Sequence, residues 1–528
     1  MKSDPIIFIG LDSADPDLIL KWSSEGHLPA ISSLLKRGCW GKLNSTADIS
    51  SGSLWPTFFT GTSPAKHGCY FGHMQLKSGT YRIFKRDADQ IKRNPFWLWL
   101  SQAGKRVAIC DIPQTYPIEG LNGIQITGWG VESPHWKLSS WPPDLIGDVI
   151  SRFGTHPLWR WYQTKPEKIS EYADLYEKLM LGIERKGLIT SYLLERGPWD
   201  FFLMMYSEPH WAGHLLWHLF DVKHSAYDEE MAKGFKEVIR NIYASIDSNI
   251  SRLIDAFPDA TFLIFSPAGI ENNYSGIHLL PEVLKRLGIM GKNSKDERLF
   301  DPISFALENI RLLMPHKRWG PYALKKLENV IPTEVIEVAK RIVPEKLWAN
   351  MARRLLTLGN EWRWSRAFCL PNDFSGAIRI NLKGREPSGL VEPGEEYDRL
   401  CDELIRELNY LVNPDTGKNA VSEVLRVDKL FQGENLCDLP DLLVVWKRDA
   451  PIKALFSPRI GTVTGDIPDK RMGAHKAEGI LIAAGRKINS SKTFEGGHIM
   501  DIAPTVLHLT GCSVPQDMDG KVLTEIIY

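Results

Sequence analysis

Short runs of consecutive apolar residues recur along the chain, and most are separated by segments whose apolar positions have helical spacing. The first run, 6–11, ends on Asp12 and is followed by apolar residues spaced as on one helix face, so a strand and then a helix are predicted. The same reasoning predicts further strands at 106–110, 201–206, 261–265, 442–446 and 479–483. Wholly apolar strands that alternate with helices are typical of a mostly parallel sheet covered on both faces. We therefore predict an α/β fold whose functional residues lie just beyond the carboxyl ends of the strands.

Two segments depart from this alternation and divide the chain. Residues 311–366 carry twelve Lys and Arg against five Glu, together with four Trp, which predicts a basic helical insertion. Such a segment is an ordinary solvated face, a lid over an anionic substrate, or a patch that contacts a membrane surface. Residues 376–431 predict a strand, a helix and another strand, which form a small α+β unit within the same sheet system. The predicted division is a first core part (1–290), the insertion or lid (291–374), the small unit (375–432) and a C-terminal core part (433–528).

The composition narrows the class of protein. The 528 residues include 64 Lys and Arg and 64 Asp and Glu, so the formal net charge is zero. A general nucleic-acid binder needs a basic surface, and this class is therefore disfavoured. The seven cysteines are scattered without a Cys-x-x-Cys pair, which argues against a disulfide framework or a cysteine zinc site. Because no leader-like segment and no apolar stretch of about 20 residues occur, we predict a cytoplasmic protein.

Asp12 and a serine-rich loop are the first candidates for chemistry. Asp12 follows the first predicted strand, where a carboxylate is well placed to hold a metal, although a helix N-cap is an equally simple role. Ser50, Ser51 and Ser53 precede an apolar helical segment at 54–61. A serine in such a place meets backbone N–H groups that favour a phosphate or a developing alkoxide, and the alternative is a plain capping residue.

Three histidines suggest a metal site. His210 and His214 follow the strand at 201–206 and are four positions apart, so their imidazoles lie on one face of a helix. His475 precedes the last predicted strand and could supply a third ligand from across the site. Three imidazoles leave zinc an open position for water or substrate. The alternative is that the pair on the helix consists of core or surface residues.

Several segments follow one another in an order typical of one enzyme superfamily. They are Gly10-Leu11-Asp12, Ser51 nine positions before Thr60-Gly61, Ser63-Pro64-Ala65-Lys66-His67-Gly68, Glu208-Pro209-His210-Trp211-Ala212-Gly213-His214, Gly473-Ala474-His475 and Asp501-Ile502-Ala503-Pro504-Thr505. In this order they resemble the alkaline phosphatase superfamily, in its type I phosphodiesterase and nucleotide pyrophosphatase branch. The resemblance spans the first seventy residues, about 200–290 and most of the chain after 375.

The resemblance implies an alkaline phosphatase-like fold, zinc and phosphate-ester chemistry. In that family two zinc ions clamp the attacking and leaving oxygens, and a hydroxyl nucleophile forms a covalent phospho-enzyme that water then hydrolyses. Carried over by position, Asp12 and the nucleophile Ser51 would belong to one metal, while His210, His214 and His475 would hold the other. Ser50 and Ser53 are the alternatives to Ser51. The partner that the resemblance implies is a small anionic phosphate ester.

Two departures from the family pattern affect the metals. Where the family has Ser-Asp-His-Gly, this chain has Ser266-Pro267-Ala268-Gly269, so two ligands of the nucleophile-side metal are missing. Nearby side chains that could substitute are those of Glu271, Asn273 and His278. His210 stands where the family has an aspartate, which keeps a zinc ligand and removes a negative charge. One zinc ion at the three-histidine site is therefore predicted, while the sequence offers a second ion no complete ligand set.

Two functions fit this pattern. The first is a metal-dependent phosphohydrolase or phosphodiesterase with one retained zinc and Ser51, in which water or another acceptor receives the phosphoryl group. The second is a non-catalytic protein that kept the fold for binding or scaffolding, and the loss of ligands at Pro267 and Ala268 favours it. We expect the enzyme, because the three histidines, Asp12 and a nucleophile-like serine are all retained in register. Direct attack by Ser51 and attack by a metal-activated water both stay open.

Overall fold

The structure is a computed structural model of the chain. It describes residues 4–71, 74–77, 79–81, 83–85, 91–130, 137–158, 166–291, 362–467, 471–490 and 492–528. Most of the predicted basic insertion, 311–361, lies outside these residues, so its roles as a lid or a membrane patch stay predictions. Of the helices that are described, none combines the length and the apolar character needed to cross a bilayer.

The described residues form strands, α-helices and short 3-10 helices. The strands are β1 Ile6–Leu11, β2 Cys39–Asn44, β3 Met74–Leu76, β4 Ile83–Lys85, β5 Val107–Cys110, β6 Gly123–Thr127, β7 Ser139–Trp141, β8 Phe201–Tyr206, β9 Thr261–Ser266, β10 Gly269–Asn272, β11 Ala367–Leu370, β12 Gly376–Ile380, β13 Val412–Asn413, β14 Lys418–Asn419, β15 Val421–Arg426, β16 Leu442–Trp446, β17 Ala454–Ser457, β18 Gly461–Thr464, β19 Gly473–Lys476, β20 Glu478–Ala484, β21 Lys492–Thr493 and β22 Gly497–His498. The α-helices are α1 Pro16–Ser24, α2 Pro29–Arg37, α3 Leu54–Thr60, α4 Pro64–His67, α5 Phe96–Gln102, α6 Leu145–Phe153, α7 Ile169–Glu195, α8 Glu208–Phe220, α9 Glu229–Ala232, α10 Val238–Ala256, α11 Leu280–Arg286, α12 Glu395–Asn409, α13 Val427–Leu430 and α14 Ile502–Leu509. The 3-10 helices are Ser51–Ser53, Trp362–Trp364, Leu436–Asp438, Ile499–Asp501 and Thr524–Ile526.

A ten-stranded central sheet organises the molecule. Its order is β21-β2-β20-β9-β1-β8-β5-β6-β7, with β22 beside β2, and β1 pairs in parallel with both β9 and β8. Alternate residues of β1 face opposite sides of the sheet. Ile7 and Ile9 join a core with α7, α8 and α10, whereas Ile6 and Phe8 join a core with α3, α5 and α14. Both faces are therefore covered, which explains the wholly apolar strands and confirms the predicted α/β fold class.

A second, antiparallel sheet forms a separate core. Its order is β11-β12-β16-β15, and it packs with α11 and α12. The strand predicted at 442–446 exists as β16, but the prediction that it belongs to the central sheet is wrong, because it pairs with β12 and β15. The prediction that the small unit lies within the same sheet system is wrong for the same reason. All five residues of β16 are buried. A strand buried on both faces has the same apolar run in a parallel or an antiparallel sheet, so the pattern could not distinguish them.

A buried ion-pair network holds this second sheet together. Arg385 donates two hydrogen bonds of 2.7 Å to the two carboxylate oxygens of Asp441. The backbone N–H of Ile380 and the hydroxyl of Tyr397 also donate to Asp441, at 2.7 and 3.0 Å. Burial alone raises the pKa of Asp441, but the charges of Arg385 and then of Arg379 outweigh it, so that pKa lies below its usual range. The network joins β12 to the residue that immediately precedes β16.

Replacing Asp441 with asparagine is expected to lower the free energy of unfolding by about 3 kcal/mol at neutral pH, because it removes one of the two carboxylates, those of Asp441 and Glu386, that pair with the largely buried Arg385 guanidinium. A carboxyl whose pKa is lowered by folding stabilises the protein above its unfolded pKa, and this contribution is lost as the pH falls through the folded pKa. The difference between variant and wild type, measured by urea unfolding, should therefore shrink below about pH 4.

The exposed pair Lys178–Asp174 provides the control for this measurement. Its atoms are 2.6 Å apart, but the Asp174 side chain is 56% exposed. Asp174→Asn is expected to change the free energy of unfolding by no more than about 0.5 kcal/mol. A change of the same small size for Asp441→Asn would contradict the role given to the buried network.

Candidate functional site

His210, His214 and His475 come together at one end of the central sheet. His210 and His214 lie on α8, which follows β8, and His475 lies on β19, which pairs with β10. The ring centroids are 4.5 Å apart for His210 and His214, 5.0 Å for His210 and His475, and 4.8 Å for His214 and His475. All three are buried, and one nitrogen from each lies within 4.8 Å of the others. Within the described residues, they form the one group of three or more side chains suited to a metal ion.

Glycines allow α8 and β19 to approach closely enough for this grouping. A Cβ atom on Gly473 would lie 2.4 Å from the carbonyl oxygen of Gly213, and one on Gly213 would lie 2.7 Å from the side chain of Ile270. Both distances are shorter than real Cβ contacts, so a side chain at position 473 would force β19 away from α8, and one at position 213 would force α8 away from β10. Close packing around the histidines therefore explains why positions 213 and 473 are glycines.

The three imidazoles are prepared to act as ligands. The Nδ1–H of His214 donates to the carbonyl oxygen of Gly473 at 2.7 Å, which leaves Nε2 with its lone pair. Among the described residues, Nε2 of His214 and both ring nitrogens of His475 are buried without a hydrogen-bond partner. Burial first, and then the other charges near the site, including Arg471, lower the pKa of His214 and of His475 well below the usual value. The neutral imidazoles fit a metal ion, which binds that form.

Asp12 contacts this group through a hydrogen bond. The Nδ1–H of His210 donates to the Asp12 carboxylate at 3.1 Å, and the hydroxyl of Ser13 donates to its other oxygen at 3.0 Å. Carboxylates commonly hold metal-binding histidines in this way, fixing the ring orientation and the tautomer. The predicted role of Asp12 as a metal ligand stays a prediction, and the partners it has in this structure are His210 and Ser13.

A buried charged network fixes the start of α8. Glu208, in the first turn, lies 3.5 Å from Nζ of Lys186 and 3.1 Å from Nε2 of His156. Lys186 also lies 3.2 Å from the carboxylate of Asp111, which follows β5. All four side chains are at most 4% exposed. The network ties α7 and the end of β5 to the helix that carries two of the histidines.

The place where the family has two further ligands holds none. β9 ends at Ser266, and Pro267 and Ala268 lead directly into β10. Of the nearby side chains that could substitute, Glu271 accepts a hydrogen bond of 2.8 Å from Arg448, and His278 lies 3.3 Å from the carbonyl oxygen of Gly465.

The third substitute, Asn273, donates to the carbonyl oxygen of Arg471 at 2.9 Å. Within the described residues, neither Glu271 nor His278 belongs to the histidine group. The part of the chain that the structure describes thus holds one assembled set of metal ligands instead of two.

The three candidate serines differ in their surroundings. Ser50 donates to the carbonyl oxygen of Tyr70, and Ser53, which is fully buried, donates to Thr46 at 2.8 Å. Ser51 begins the 3-10 helix before α3 and is partly exposed. Its hydroxyl donates to the carboxylate of Asp373. The hydroxyls of Ser50 and Ser53 thus hold the loop, while that of Ser51 meets a carboxylate from the second sheet.

The second sheet contributes residues that sequence reasoning missed. The loop between β11 and β12 carries Asp373 and Phe374, and the Phe374 ring lies 5.5 Å from the ring of His475. The guanidinium of Arg471 lies 4.4 Å from the centre of the Phe374 ring, and that of Arg448 lies 5.8 Å from it. Two positive charges therefore flank the histidine group. Short loops between strands carry no local pattern that would have identified these side chains.

One family model and several solved structures are similar to this chain. A family model described as type I phosphodiesterase / nucleotide pyrophosphatase matches residues 6–450. The structure is similar to phosphonoacetate hydrolase from Sinorhizobium meliloti 1021, solved with phosphonoformate, at 12% sequence identity, 96% of each chain and a TM-score of 0.50. It also matches murine ectonucleotide pyrophosphatase / phosphodiesterase 5 at 12% identity, 99% of this chain, 100% of that chain and a TM-score of 0.47. No curated protein matches the chain.

Proposed function

Because the chain belongs to the type I phosphodiesterase / nucleotide pyrophosphatase family, we propose that it hydrolyses phosphate esters with one metal ion held by His210, His214 and His475 and with Ser51 as the nucleophile. The observation that carries this proposal is the group of three buried imidazoles. Burying the ring nitrogens of His214 and His475 without hydrogen-bond partners costs free energy, which a bound cation would recover. Zinc suits such a set because three imidazoles leave it an open position.

The charges around the site favour an anionic substrate. A divalent cation held by the histidines supplies a Lewis acid for the phosphoryl oxygens. Arg471 lies close enough to lower the pKa of both His214 and His475, so its positive charge acts on the histidine group. Arg448 is held beside it by Glu271 and by the carbonyl oxygen of His475. These fixed guanidinium groups would bind and orient a phosphate ester and offset part of the charge that a second metal would provide.

A non-catalytic binding protein is the second candidate, and the observation that favours it is the loss of ligands at Pro267 and Ala268. Such a protein would keep the fold and would bind an anion at the same place without breaking a bond. The two candidates differ in whether metal-dependent hydrolysis occurs.

Metal content and metal-dependent hydrolysis, measured together, separate these functions without knowledge of the natural substrate. Protein purified without chelator is expected to contain one zinc ion per chain by plasma mass spectrometry, because one set of ligands is assembled in the described structure. The same protein should hydrolyse bis(p-nitrophenyl) phosphate, and a chelator should abolish the reaction. Two ions per chain would show a bimetallic site instead. No ion, together with no metal-dependent hydrolysis in a broad ester panel, would favour the binding protein.

A further inference from the structure

A carboxylate from the second sheet lies against the hydroxyl of Ser51. The Ser51 hydroxyl donates to Oδ2 of Asp373, which belongs to the loop between β11 and β12. The two residues are 322 positions apart in the sequence, so the contact is made by the packing of two cores. A serine hydroxyl is a weak nucleophile until an adjacent base removes its proton, and a carboxylate in hydrogen-bond contact is such a base.

The loop that carries Asp373 is fixed onto the loop that carries Ser51. Asn372 donates to the carbonyl oxygen of Ile49 at 3.0 Å, and Ser375 donates to the same oxygen at 2.8 Å. Asn372 also donates to Ser375 at 2.6 Å. The residues on either side of the carboxylate are thus anchored two positions before Ser51. This geometry is organised before any substrate binds, which is what catalysis by a positioned base requires.

The second oxygen of the carboxylate faces the rest of the site. Oδ1 of Asp373 lies 3.5 Å from Nη2 of Arg471, whose guanidinium covers the Phe374 ring. Phe374 in turn packs against the rings of His214 and His475, with centroids 6.0 and 5.5 Å away. The carboxylate is therefore connected on one side to the hydroxyl and on the other to the residues beside the proposed metal site.

We propose that Asp373 is the general base that accepts the proton of Ser51. This inference rests on the proposed function, in which Ser51 is the nucleophile. It explains how the hydroxyl is activated in a chain that has Pro267 and Ala268 where the family has two ligands of a nucleophile-side metal. Within the described residues, Asp373 is the side chain that accepts a hydrogen bond from the Ser51 hydroxyl.

The reaction balances in two steps. In the first, the Oγ–P bond forms, the P–O bond to the leaving group breaks, the Ser51 proton passes to Asp373, and the leaving oxygen takes up a proton from solvent. In the second, a water oxygen attacks phosphorus, the Oγ–P bond breaks, and Ser51 recovers a proton from Asp373 while the water proton goes to solvent. The sum is one ester and one water converted to an alcohol and a phosphate.

The test uses the full-length metal-loaded protein and the variant Asp373→Asn, which keeps the shape of the side chain and removes its basicity. The value of kcat/KM on bis(p-nitrophenyl) phosphate is expected to fall by about 10²–10⁴-fold, the usual contribution of a general base. The metal content should stay at one ion per chain. In Asp373→Ala, added formate should restore part of the activity because it fits the space that the carboxylate leaves.

A second readout does not depend on turnover. Diisopropyl fluorophosphate modifies an activated serine with loss of fluoride, and mass spectrometry of the Ser51 peptide gives the rate. The wild type should be modified at least about 100-fold faster than Asp373→Asn, by the same reasoning. Arg471→Met removes the ion pair with Asp373 but keeps the Ser51 contact, so it should raise KM for the anionic ester. The exposed Asp398→Asn serves as a control that should leave both readouts unchanged.

The outcomes distinguish this inference from the proposed function. If Asp373→Asn keeps the wild-type labelling rate and turnover while Ser51→Ala is inactive, Asp373 is not the base but the proposed nucleophile stands. If Asp373→Asn loses its metal ion together with its activity, and formate restores no activity to Asp373→Ala, the carboxylate has a structural role and the inference is wrong. If Ser51→Ala turns over at the wild-type rate, Ser51 is not the nucleophile, and the roles proposed for Ser51 and for Asp373 are both wrong.

Discussion

Replacing His475 with alanine is expected to abolish stoichiometric zinc binding and to lower kcat/KM on bis(p-nitrophenyl) phosphate by about 10³-fold or more. Two imidazoles on one helix cannot complete the ligand set, and the loss of the ion removes several kcal/mol of charge stabilisation from the transition state. Each 1.4 kcal/mol corresponds to about a tenfold change in rate. Plasma mass spectrometry and steady-state kinetics on the same preparation measure both effects.

A matched histidine far from the site controls for this substitution. His508 lies exposed on α14, so His508→Ala should keep one ion per chain and the wild-type rate. Full metal content in His475→Ala would mean that the three buried imidazoles do not form the metal site. Retained metal with lost activity would leave His475 in the site but would remove it from the ligand set.

Replacing Ser51 with alanine is expected to lower kcat by about 10³-fold or more while the metal content stays unchanged, because the covalent step loses its nucleophile. Wild-type protein quenched during turnover should give a phosphorylated peptide that contains Ser51, and the variant should give none. Mass spectrometry of the digested protein checks this directly. Unchanged turnover in Ser51→Ala would favour attack by a water molecule at the same site.

The neighbouring serines provide the controls. The hydroxyls of Ser50 and Ser53 bond to Tyr70 and Thr46 and hold the loop, so Ser50→Ala and Ser53→Ala should lower stability by about 1 kcal/mol each without removing the covalent intermediate. A phosphorylated Ser50 or Ser53 in the wild type would show that the nucleophile is that serine and not Ser51.

The fold could be predicted where local pattern and long-range packing agree. The runs at 6–11, 201–206 and 261–265 are wholly apolar because the strands that they form lie between two cores, and this origin made them recognisable. The run at 442–446 has the same pattern for a different reason, since it is buried in the second sheet. Periodicity reports burial and not the identity of the neighbouring strand, so the assignment to a sheet needed the structure.

The residues of the candidate site could also be predicted only in part from the sequence. His210 and His214 were predictable because a helix places positions i and i+4 on one face. His475 was proposed from its place before the last predicted strand, and the resemblance selected Ser51 from the serines of its loop. Asp373, Phe374 and Arg471 reach the site from loops whose sequence carries no periodic signal. Their positions depend on how the second sheet packs against the central sheet, and no local feature of a single sequence predicts that packing.

The two cores carry different parts of the candidate site. The histidine group stands on α8 and β19, whereas the carboxylate that meets Ser51 and the ring that lines the site stand on one loop of the second sheet. Under the proposed function, a substitution at Asp373 would change the group beside the Ser51 hydroxyl while α8 and β19 keep all three histidines.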